Sequence, residues 1–581
     1  MPNLLAMSFE GELAPSFDLR CLHAGAIAPD GWGIGYYAGG EPAAALLKEP
    51  APPHGSIRSE LVKAWEHLES SLFVVHIRTA TWGSLTDANT QPFVRAWGRR
   101  DWLFGHAGSL RHRPELRPDV AFEPVGSTDT ELIFCDLLNR FAQRSWRSLG
   151  DADPAVLRDW LSQVNALGTL SCVLSDGHDL AVYSDREAGG MLLHEVVPPY
   201  DALAFSDGDL EVDLARRGVK SRRGVVASST PLQVNGQPGE WRPVRPGHLV
   251  VVRQGVIRAE LGPSPASGDG GQLALPGARG RGSPRPPRAE PRSYRVNHRT
   301  TYRYDRPVER SSHLFRLTPA TDPLQTLRSG SIWVSVQGAA RDFDDVFGNR
   351  ARRLLVETPY TELVIGAEWE VDVLDTDPLS YRPLRERGQI PVVWMPWQRQ
   401  VLEPFLLPPE LAESELTELS EYAMSFAIRN DHDVLDTLLD LNSTIHRDYR
   451  YTPGATTVST SPFEIYVSRE GVCQDFTNLF ICLARLLGLP ARYVCGYLYT
   501  GPRHENARQA EASHAWAQVY LPDVGWRGFD PTNGVLTQTD HIRVAVGRTY
   551  RDATPTSGTI FVGGGLETLD VAVQVEPLRP G

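Results

Sequence analysis

The chain has 581 residues, of which 41% are hydrophobic, and this length suits several domains with apolar cores. Its formal net charge of −13 and pI near 5.7 argue against nucleic acid as a partner, because phosphate binding needs concentrated positive charge. The six cysteines form no CxxC pair and no apolar run reaches transmembrane length, so we expect a cytoplasmic protein with no membrane partner, metal or cofactor.

The first 262 residues contain four short segments that occur together in one known family. They are PDGWGIGYY at 29–37, HIRTAT at 76–81, NTQPF at 89–93 and STDTE at 127–131. In this order they resemble the class II glutamine amidotransferases. The resemblance implies an αββα sandwich of the N-terminal-nucleophile hydrolase type for residues 1–262.

Two positions depart from the pattern of that family. Its members carry a nucleophilic cysteine directly after the initiator methionine, where this chain has Pro2, and a His-Asn-Gly segment where this chain has His106, Ala107 and Gly108. Loss of the nucleophile removes the covalent route, and loss of one oxyanion donor costs about 10²–10³ in rate. We therefore predict that this domain does not hydrolyse glutamine.

The residues that would hold a substrate are retained. The resemblance implies that Arg78 pairs with a carboxylate and Asp129 with an α-amine, with Gly108 as a further substrate-binding residue. The domain is then a module that binds a glutamine-like ligand or a structural remnant, and both interpretations remain open. Glutamine amidotransferase activity would need another nucleophile. Removal of Met1 would expose the secondary amine of Pro2, which is the remaining alternative.

A segment rich in proline, glycine, serine, alanine and arginine, residues 263–293, is typical of a flexible linker. After it, alternating residues from 294 to 304 predict a strand, and the FGNR sequence at 347–350 predicts a turn. Residues 294–375 resemble the β-rich domain that precedes the bacterial transglutaminase-like core, and 376–409 are interpreted as a connection to that core.

Helical periodicity begins near residue 412. One apolar face contains Leu416, Leu419, Tyr422, Ala423 and Phe426, and a second contains Leu435, Leu438 and Leu439. A third helix is predicted after Cys473, because apolar residues recur at three- and four-residue intervals until Gly488. Cys473 then lies in the first turn, where free backbone N–H groups and the helix dipole favour a thiolate and can hold an oxyanion.

Two strands are predicted after this helix. Residues 514–521 alternate, with His514, Trp516, Gln518 and Tyr520 on one face, and 526–530 form the returning strand. Pairing Leu521 with Gly525 would put Asp530 on the face of His514, whereas a loop one residue longer would put it on the opposite face. The sequence leaves both registers open.

The segments GVCQDF at 471–476, GLPAR at 488–492 and DPTN at 530–533 resemble the transglutaminase-like superfamily. The resemblance implies a papain-like α+β core over 410–550, followed by a β-rich tail at 551–581. It implies that Cys473 is the nucleophile, His514 the general base and then acid, and Asp530 the group that orients His514. Tyr451 is a candidate oxyanion donor, and Trp516 is a candidate to shield the imidazole and bind substrate.

The predicted activity is cysteine-dependent amide hydrolysis or acyl transfer on a peptide, protein or small amide, with hydrolysis favoured. A competing interpretation is a non-catalytic scaffold, in which Cys473 is an inert thiol. Cys482 and Cys495 fall in apolar surroundings and are predicted to serve packing.

Overall fold

The computed structural model describes residues 4–19, 29–40, 42–54, 56–65, 68–78, 84–112, 120–187, 190–208, 210–215, 221–263, 291–374, 388–501, 513–522 and 524–578. The chain divides into two compact units, Met1–Ala274 and Leu275–Gly581. Both are rich in strands, and each has its own hydrophobic core. Pro2 and Cys21 lie outside the described residues.

The strands of the first unit are β1 (Leu4–Leu13), β2 (Ser16–Leu19), β3 (Gly31–Tyr37), β4 (Ala44–Glu49), β5 (Ser70–Arg78), β6 (Phe93–Trp97), β7 (Arg100–Leu110), β8 (Gly168–Ser175), β9 (Asp179–Tyr183), β10 (Leu192–Val196), β11 (Ala204–Ser206), β12 (Leu210–Asp213), β13 (Gly224–Ser228), β14 (Gln233–Val234), β15 (Gln237–Pro238), β16 (Arg242–Pro243), β17 (Leu249–Arg253) and β18 (Val256–Leu261). Its α-helices are α1 (Ile57–Ala64), α2 (Asp129–Gln143) and α3 (Pro154–Asn165).

Two large sheets form the centre of this unit. A seven-stranded sheet in the order β16-β10-β13-β1-β5-β3-β4 packs against a six-stranded sheet in the order β18-β17-β9-β8-β7-β6. Side chains alternate along β1, so Leu4 and Ala6 face the six-stranded sheet while Leu5 and Met7 face the opposite layer. Helices α2 and α3 cover the other face of the six-stranded sheet.

The second outer layer differs from the expected αββα sandwich. In the described residues it consists of α1 together with a five-stranded sheet, β15-β14-β11-β12-β2. Phe17, Phe205 and Val212 of this small sheet pack on Phe73 and Ile77 of β5. Aromatic and branched side chains of short strands therefore bury a surface that the resemblance assigned to helices.

The strands of the second unit are β19 (Arg292–Phe315), β20 (Gln325–Val334), β21 (Ala339–Asp344), β22 (Arg350–Val356), β23 (Tyr360–Val373), β24 (Arg450–Tyr451), β25 (Glu470–Gly471), β26 (Ala491–Leu498), β27 (His514–Leu521), β28 (Gly525–Asp530), β29 (Val535–Leu536), β30 (His541–Gly547), β31 (Thr556–Gly563) and β32 (Glu567–Pro577). Its α-helices are α4 (Pro396–Leu402), α5 (Glu413–Arg429), α6 (Val434–Asp448), α7 (Pro462–Ser468), α8 (Cys473–Leu486) and α9 (Tyr550–Ala553).

The long strand β19 organises the β-rich part of this unit. Its first half pairs with β23 and β32, and its second half pairs with β22 and β31. The segment 551–581, predicted as a β-rich tail, supplies two strands, β31 and β32, to the sheet that begins at Arg292. Sheet and helices share one continuous hydrophobic core, which runs from Tyr294 through the helices to Val573.

The helical part packs on a second sheet, in the order β29-β28-β27-β26-β30. The predicted helices appear as α5, α6 and α8, and the predicted strands as β27 and β28. Leu521 pairs with Gly525, so the register with the shorter loop is confirmed. Phe480 of α8 stacks on Phe529 of β28 with ring centroids 5.4 Å apart, and this packing fixes the helix against the sheet.

None of the helices in the described parts of the chain has the length and apolar character needed to cross a bilayer.

Candidate active site

Cys473 is the first residue of α8, and the turn before it is held on both sides. Tyr451 of β24 pairs in parallel with Gly471 of β25, two residues before the cysteine. Oδ2 of Asp475 accepts a hydrogen bond from the Val472 backbone N–H at 2.9 Å and one from Thr456 Oγ1 at 2.5 Å. The carboxylate of Asp475 therefore closes the first turn, and Cys473 is left partly exposed at the positive end of the helix dipole.

Arg469 holds the chain just upstream of this turn. It adopts a left-handed conformation with φ of 57°, and its guanidinium lies 4.6–5.0 Å from the ring centroids of Tyr422, Tyr449 and Tyr466. Nη1 donates to the hydroxyls of Tyr422 at 2.9 Å and Tyr449 at 2.6 Å. This buried aromatic cage fixes the direction in which the chain enters β25 and α8.

His514 and Asp530 meet on neighbouring strands. Residues 517 and 529 are cross-strand partners, so 514 and 530 lie on one face of the sheet. Nε2 of His514 donates to Oδ2 of Asp530 at 2.8 Å, with 2% of His514 and none of Asp530 exposed. The structure therefore brings two of the three predicted triad residues into direct contact.

The partner of Nε2 determines the tautomer of His514. An ionised carboxylate only accepts hydrogen bonds, so Nε2 carries the proton and Nδ1 keeps its lone pair. Nδ1 is buried and has no hydrogen-bond partner of ordinary geometry among the described residues. The imidazole interacts with the side chain of Cys473, and Nδ1 is the atom that could take the proton of that thiol.

The charges of this group favour the imidazolium form. Burial acts to lower the pKa of His514, but the charge and hydrogen bond of Asp530, with a further contribution from Cys473, raise the pKa above its ordinary value. Burial likewise acts to raise the pKa of Asp530, but His514 and His541 hold it well below its usual range. Cys473, the imidazolium and the carboxylate therefore form an electrostatically coupled series.

Asp530 has partners that the sequence analysis did not assign. Oδ2 also accepts from His541 Nε2 at 3.1 Å and from Asn533 Nδ2 at 2.7 Å. Asn533 lies in the DPTN segment, so that motif could have identified it as a partner of Asp530. His541 follows Asp530 by 11 residues and belongs to none of the motifs. The side-chain nitrogen and oxygen atoms of His514, Asp530 and His541 lie within 4.8 Å of one another, and such donors also occur in metal sites. Here direct hydrogen bonds join both imidazoles to the carboxylate.

Trp516 packs against the imidazole rings of His514 and His541. Its ring centroid is 5.9 Å from that of His514 and 5.1 Å from that of His541. A Cβ at Gly496 would lie 2.5 Å from the indole and 2.1 Å from the Ile542 carbonyl, so glycine makes room for the ring. Trp516 has no exposed surface and packs on both histidines, and its predicted part in substrate binding stays a prediction.

Tyr451 lies close to the thiol. Burial raises its pKa to about 12, and the charges of Cys473 and Asp475 add to that effect. Its ring packs on Phe476, one turn along α8, with centroids 6.3 Å apart. A protonated phenol beside Cys473 is compatible with the predicted role as oxyanion donor, which stays a prediction.

Cys482 and Cys495 differ from Cys473 in exposure. They are 1% and 5% exposed, and burial raises the pKa of each thiol to about 12. They have the properties of packing residues.

In the first unit, Gly108 and Asp129 lie at the junction of β7 and α2. Oδ2 of Asp129 accepts from the Leu110 backbone N–H, and Oδ1 from that of Thr130, both at 2.9 Å. Gly108 has φ of 150°, and a Cβ there would lie 2.3 Å from the Thr169 carbonyl oxygen. The backbone at Gly108 therefore requires glycine.

Arg78 ends β5, and both of its Nη atoms contact the Ser84 carbonyl oxygen at 3.4 Å. His76 interacts electrostatically with both His106 and Arg78. Burial lowers the pKa of His76 to about 3, and the charges of these two neighbours act in the same direction. His106 in turn interacts with Asp129. The predicted ligand-binding residues thus belong to one buried polar group.

Family models match three parts of the chain. They are glutamine amidotransferases class-II at residues 1–269, the bacterial transglutaminase-like N-terminal region at 294–372, and the transglutaminase-like superfamily at 422–531. An uncharacterized protein of Mycobacterium tuberculosis is 34% identical over 301 residues, which cover 49% of this chain and 93% of that relative.

The Escherichia coli protein named "Putative glutamine amidotransferase YafJ" is 32% identical over 265 residues, covering 43% of this chain and all of that relative. A solved structure titled as a "Putative Cysteine Protease" from Cytophaga hutchinsonii is 22% identical, with a TM-score of 0.41, and covers 51% of this chain and 93% of that one. The chain belongs to the class II glutamine amidotransferases through its first half, and its second half matches the models of the bacterial transglutaminase-like N-terminal region and the transglutaminase-like superfamily.

Proposed function

We propose that the second unit is a thiol enzyme that hydrolyses an amide or transfers its acyl group, with Cys473 as nucleophile. The observation that carries the proposal is the buried 2.8 Å hydrogen bond from His514 Nε2 to Asp530, which leaves Nδ1 as the proton acceptor. The position of Cys473 at the start of α8 supports it, because backbone N–H groups and the helix dipole favour both the thiolate and the oxyanion.

The reaction would proceed in two steps. His514 Nδ1 takes the thiol proton, the sulfur attacks the carbonyl carbon, and the C–N bond breaks as the imidazolium returns that proton to the leaving amine or ammonia. The resulting thioester is then attacked by water, which His514 deprotonates, and the carboxylic acid and free thiol are released. An amine in place of water would give a new amide.

The substrate class is a peptide, a protein or a small amide. Hydrolysis is the favoured outcome, and nothing in the residues of the site requires a cofactor. The first unit is proposed to be a ligand-binding or structural module, and the buried polar group around Arg78 and Asp129 supports the binding alternative.

The test is the pH dependence of iodoacetamide labelling at each cysteine of the full chain, read by peptide mass spectrometry. Cys473 is expected to label at least tenfold faster than Cys482 and Cys495 near pH 6, because its thiolate is stabilised by the imidazolium. His514→Ala should slow the labelling of Cys473 near pH 6 to the rate of an ordinary exposed thiol. The two buried cysteines serve as controls within the same sample.

A second measurement screens amide substrates for ammonia or amine release, with Cys473→Ser as the matched inactive variant. Labelling of Cys473 at the rate of an ordinary thiol, with no dependence on His514, would contradict the proposal and favour the non-catalytic scaffold.

A further inference from the structure

We propose that His541 is a positioning residue for this reaction, which fixes the carboxylate of Asp530 and tunes its hold on His514. The inference rests on the proposed function for the reaction itself. Its structural basis is that Oδ2 of Asp530, the atom that accepts from His514, accepts from a second imidazole as well.

The contacts of Asp530 leave its carboxylate a single orientation. Oδ2 accepts from His514, His541 and Asn533 at 2.8, 3.1 and 2.7 Å, and Oδ1 accepts from the backbone N–H groups of Thr532 and Asn533 at 3.1 and 3.2 Å. Asn533 and the backbone groups belong to the turn that follows β28. His514 comes from the neighbouring strand β27, and His541 comes from β30, which lies at the edge of the sheet beyond β26.

The position of His541 is itself fixed. It is 6% exposed, begins β30, and packs edge-on against Trp516 at 5.1 Å. Its backbone pairs with Leu498 of β26, the strand that lies between β30 and β27. The imidazole therefore approaches Asp530 along one direction, set by the sheet.

The β-rich domain holds the strand that carries His541. Arg543 donates through Nη1 and Nη2 to the carboxylate of Asp322 at 2.5 and 2.7 Å, and its backbone N–H donates to Gln325 at 2.8 Å. On the other side of His541, Asp540 accepts from Arg292 at 2.9 Å. The domain before the catalytic core thus reaches the reacting groups through β30.

The second imidazole has a predictable electrostatic effect. An N–H donor on Oδ2 takes a share of its negative charge, so less of it stabilises the His514 imidazolium. With His541 present, His514 can release its proton to a leaving amine more readily than Asp530 alone would allow.

The experiment compares the full-length wild type, His541→Phe and His541→Gln, with His313→Phe as a control that removes a buried imidazole far from Asp530 in the sequence. The pKa of His514 is followed by NMR of histidine-selectively labelled protein, assigned with His514→Gln. Cys473 labelling is measured on the same samples. Removal of the donor in His541→Phe should raise the His514 pKa by about one unit. The amide donor of His541→Gln should bring the His514 pKa most of the way back to its wild-type value.

An unshifted His514 titration in folded His541→Phe, or the same shift in His313→Phe, would overturn the role of His541. If His541→Phe does not fold, His541→Leu takes its place as the variant without a donor: a raised His514 pKa supports the positioning role, and an unaltered His514 pKa contradicts it. The two proposals can fail separately, because the His514 titration does not depend on turnover. Slow Cys473 labelling in the wild type would contradict the proposed function, whereas the His514 titration alone decides the role of His541.

Discussion

Asp530 is a carboxylate whose two oxygens accept five hydrogen bonds while none of its surface is exposed. A buried carboxyl group with this many donors is held ionised, because its protonation would leave a buried donor without an acceptor. In the proposed reaction its role would therefore be to orient and charge-stabilise His514, with proton transfer left to His514.

Asp530→Asn should destabilise the second unit by roughly 3 kcal/mol, because the amide puts a donor against donors. The stability that the pair of Asp530 and His514 contributes depends on pH in both the acid and the alkaline range. The lowered pKa of Asp530 gives stability that is present above about pH 4 and lost as the pH falls. The raised pKa of His514 gives stability that is present below about pH 6.5 and lost as the pH rises through the folded value.

The measurement is urea unfolding of both proteins between pH 5 and 10. The difference between wild type and Asp530→Asn should shrink at the alkaline end, where His514 loses its proton. Asp342→Asn is the matched control, because Asp342 pairs with Arg352 on the surface and should cost less than about 1 kcal/mol. A constant difference across this pH range would contradict the assigned coupling.

Single residues show how far sequence reasoning extends. Cys473, His514 and Asp530 could be proposed as a triad because each lies in a local motif at a helix start or a strand end, and the contact between His514 and Asp530 is observed. His541 could not, since its contact with Asp530 depends on β30 pairing with β26, which no local pattern encodes. The contact of Trp516 with His514 follows from their alternate positions on one strand, whereas the complete burial of Trp516 depends on Gly496 of the adjacent strand.

At the level of elements, α8 depends on the segment before it. A helix presents its first N–H groups to a substrate only if its start is fixed, and here the Arg469 cage and the Asp475 cap hold that start. The cage is remote from the surface, so it contributes both stability and position.

Arg469→Met should cost roughly 3 kcal/mol of unfolding free energy, because two charge-assisted hydrogen bonds and the aromatic contacts are lost. It should also slow Cys473 labelling, since the turn into α8 loses its anchor. Thermal unfolding and the labelling rate measure the two effects.

Arg450→Met is the control for this change. Arg450 lies on β24 and pairs with Glu470 of β25, but its side chain is 73% exposed, so its loss should cost less than about 1 kcal/mol. Equal losses for the two variants would contradict the anchoring role of the cage.

Elements with local signals were predicted well, and those that need distant partners were not. The apolar periods at 416–426 and 476–487 predict α5 and α8, and the FGNR sequence coincides with the hairpin between β21 and β22, where Gly348 has φ of 78°. The small outer sheet of the first unit escaped prediction because strands as short as β14 and β15, at two residues each, have no readable period.

For the whole molecule, three buried histidines predict sensitivity to mild acid. Burial lowers the pKa of His76 to about 3 and of His298 and His313 to about 4. The unfolded chain has histidine pKa values of about 6.5, so it binds more protons between about pH 4 and 6.5, and stability must rise with pH across that window. Each group can contribute on the order of 3 kcal/mol.

Urea unfolding of the full chain at pH 5 and pH 7 tests this expectation, with the units monitored separately by hydrogen exchange. His298→Gln should flatten the pH dependence of the second unit by about one proton, since its amide can still bond Thr300 and does not titrate. His54→Gln, at an exposed position, should change nothing. Stability that is flat or falls from pH 5 to 7 would contradict the assignment.

The pairing of β19 with β32 has a consequence for how the protein is made. Residues 294–304 find their partners at 567–577, so their sheet stays incomplete while more than two hundred intervening residues are synthesised. Domains generally fold as units during translation, and contacts this distant form late. Because the β-rich domain holds β30, and β30 carries His541, the proposed active site around Cys473 should be complete only after residue 577 has been synthesised. Synthesis itself would then delay the proposed activity until the second unit is complete.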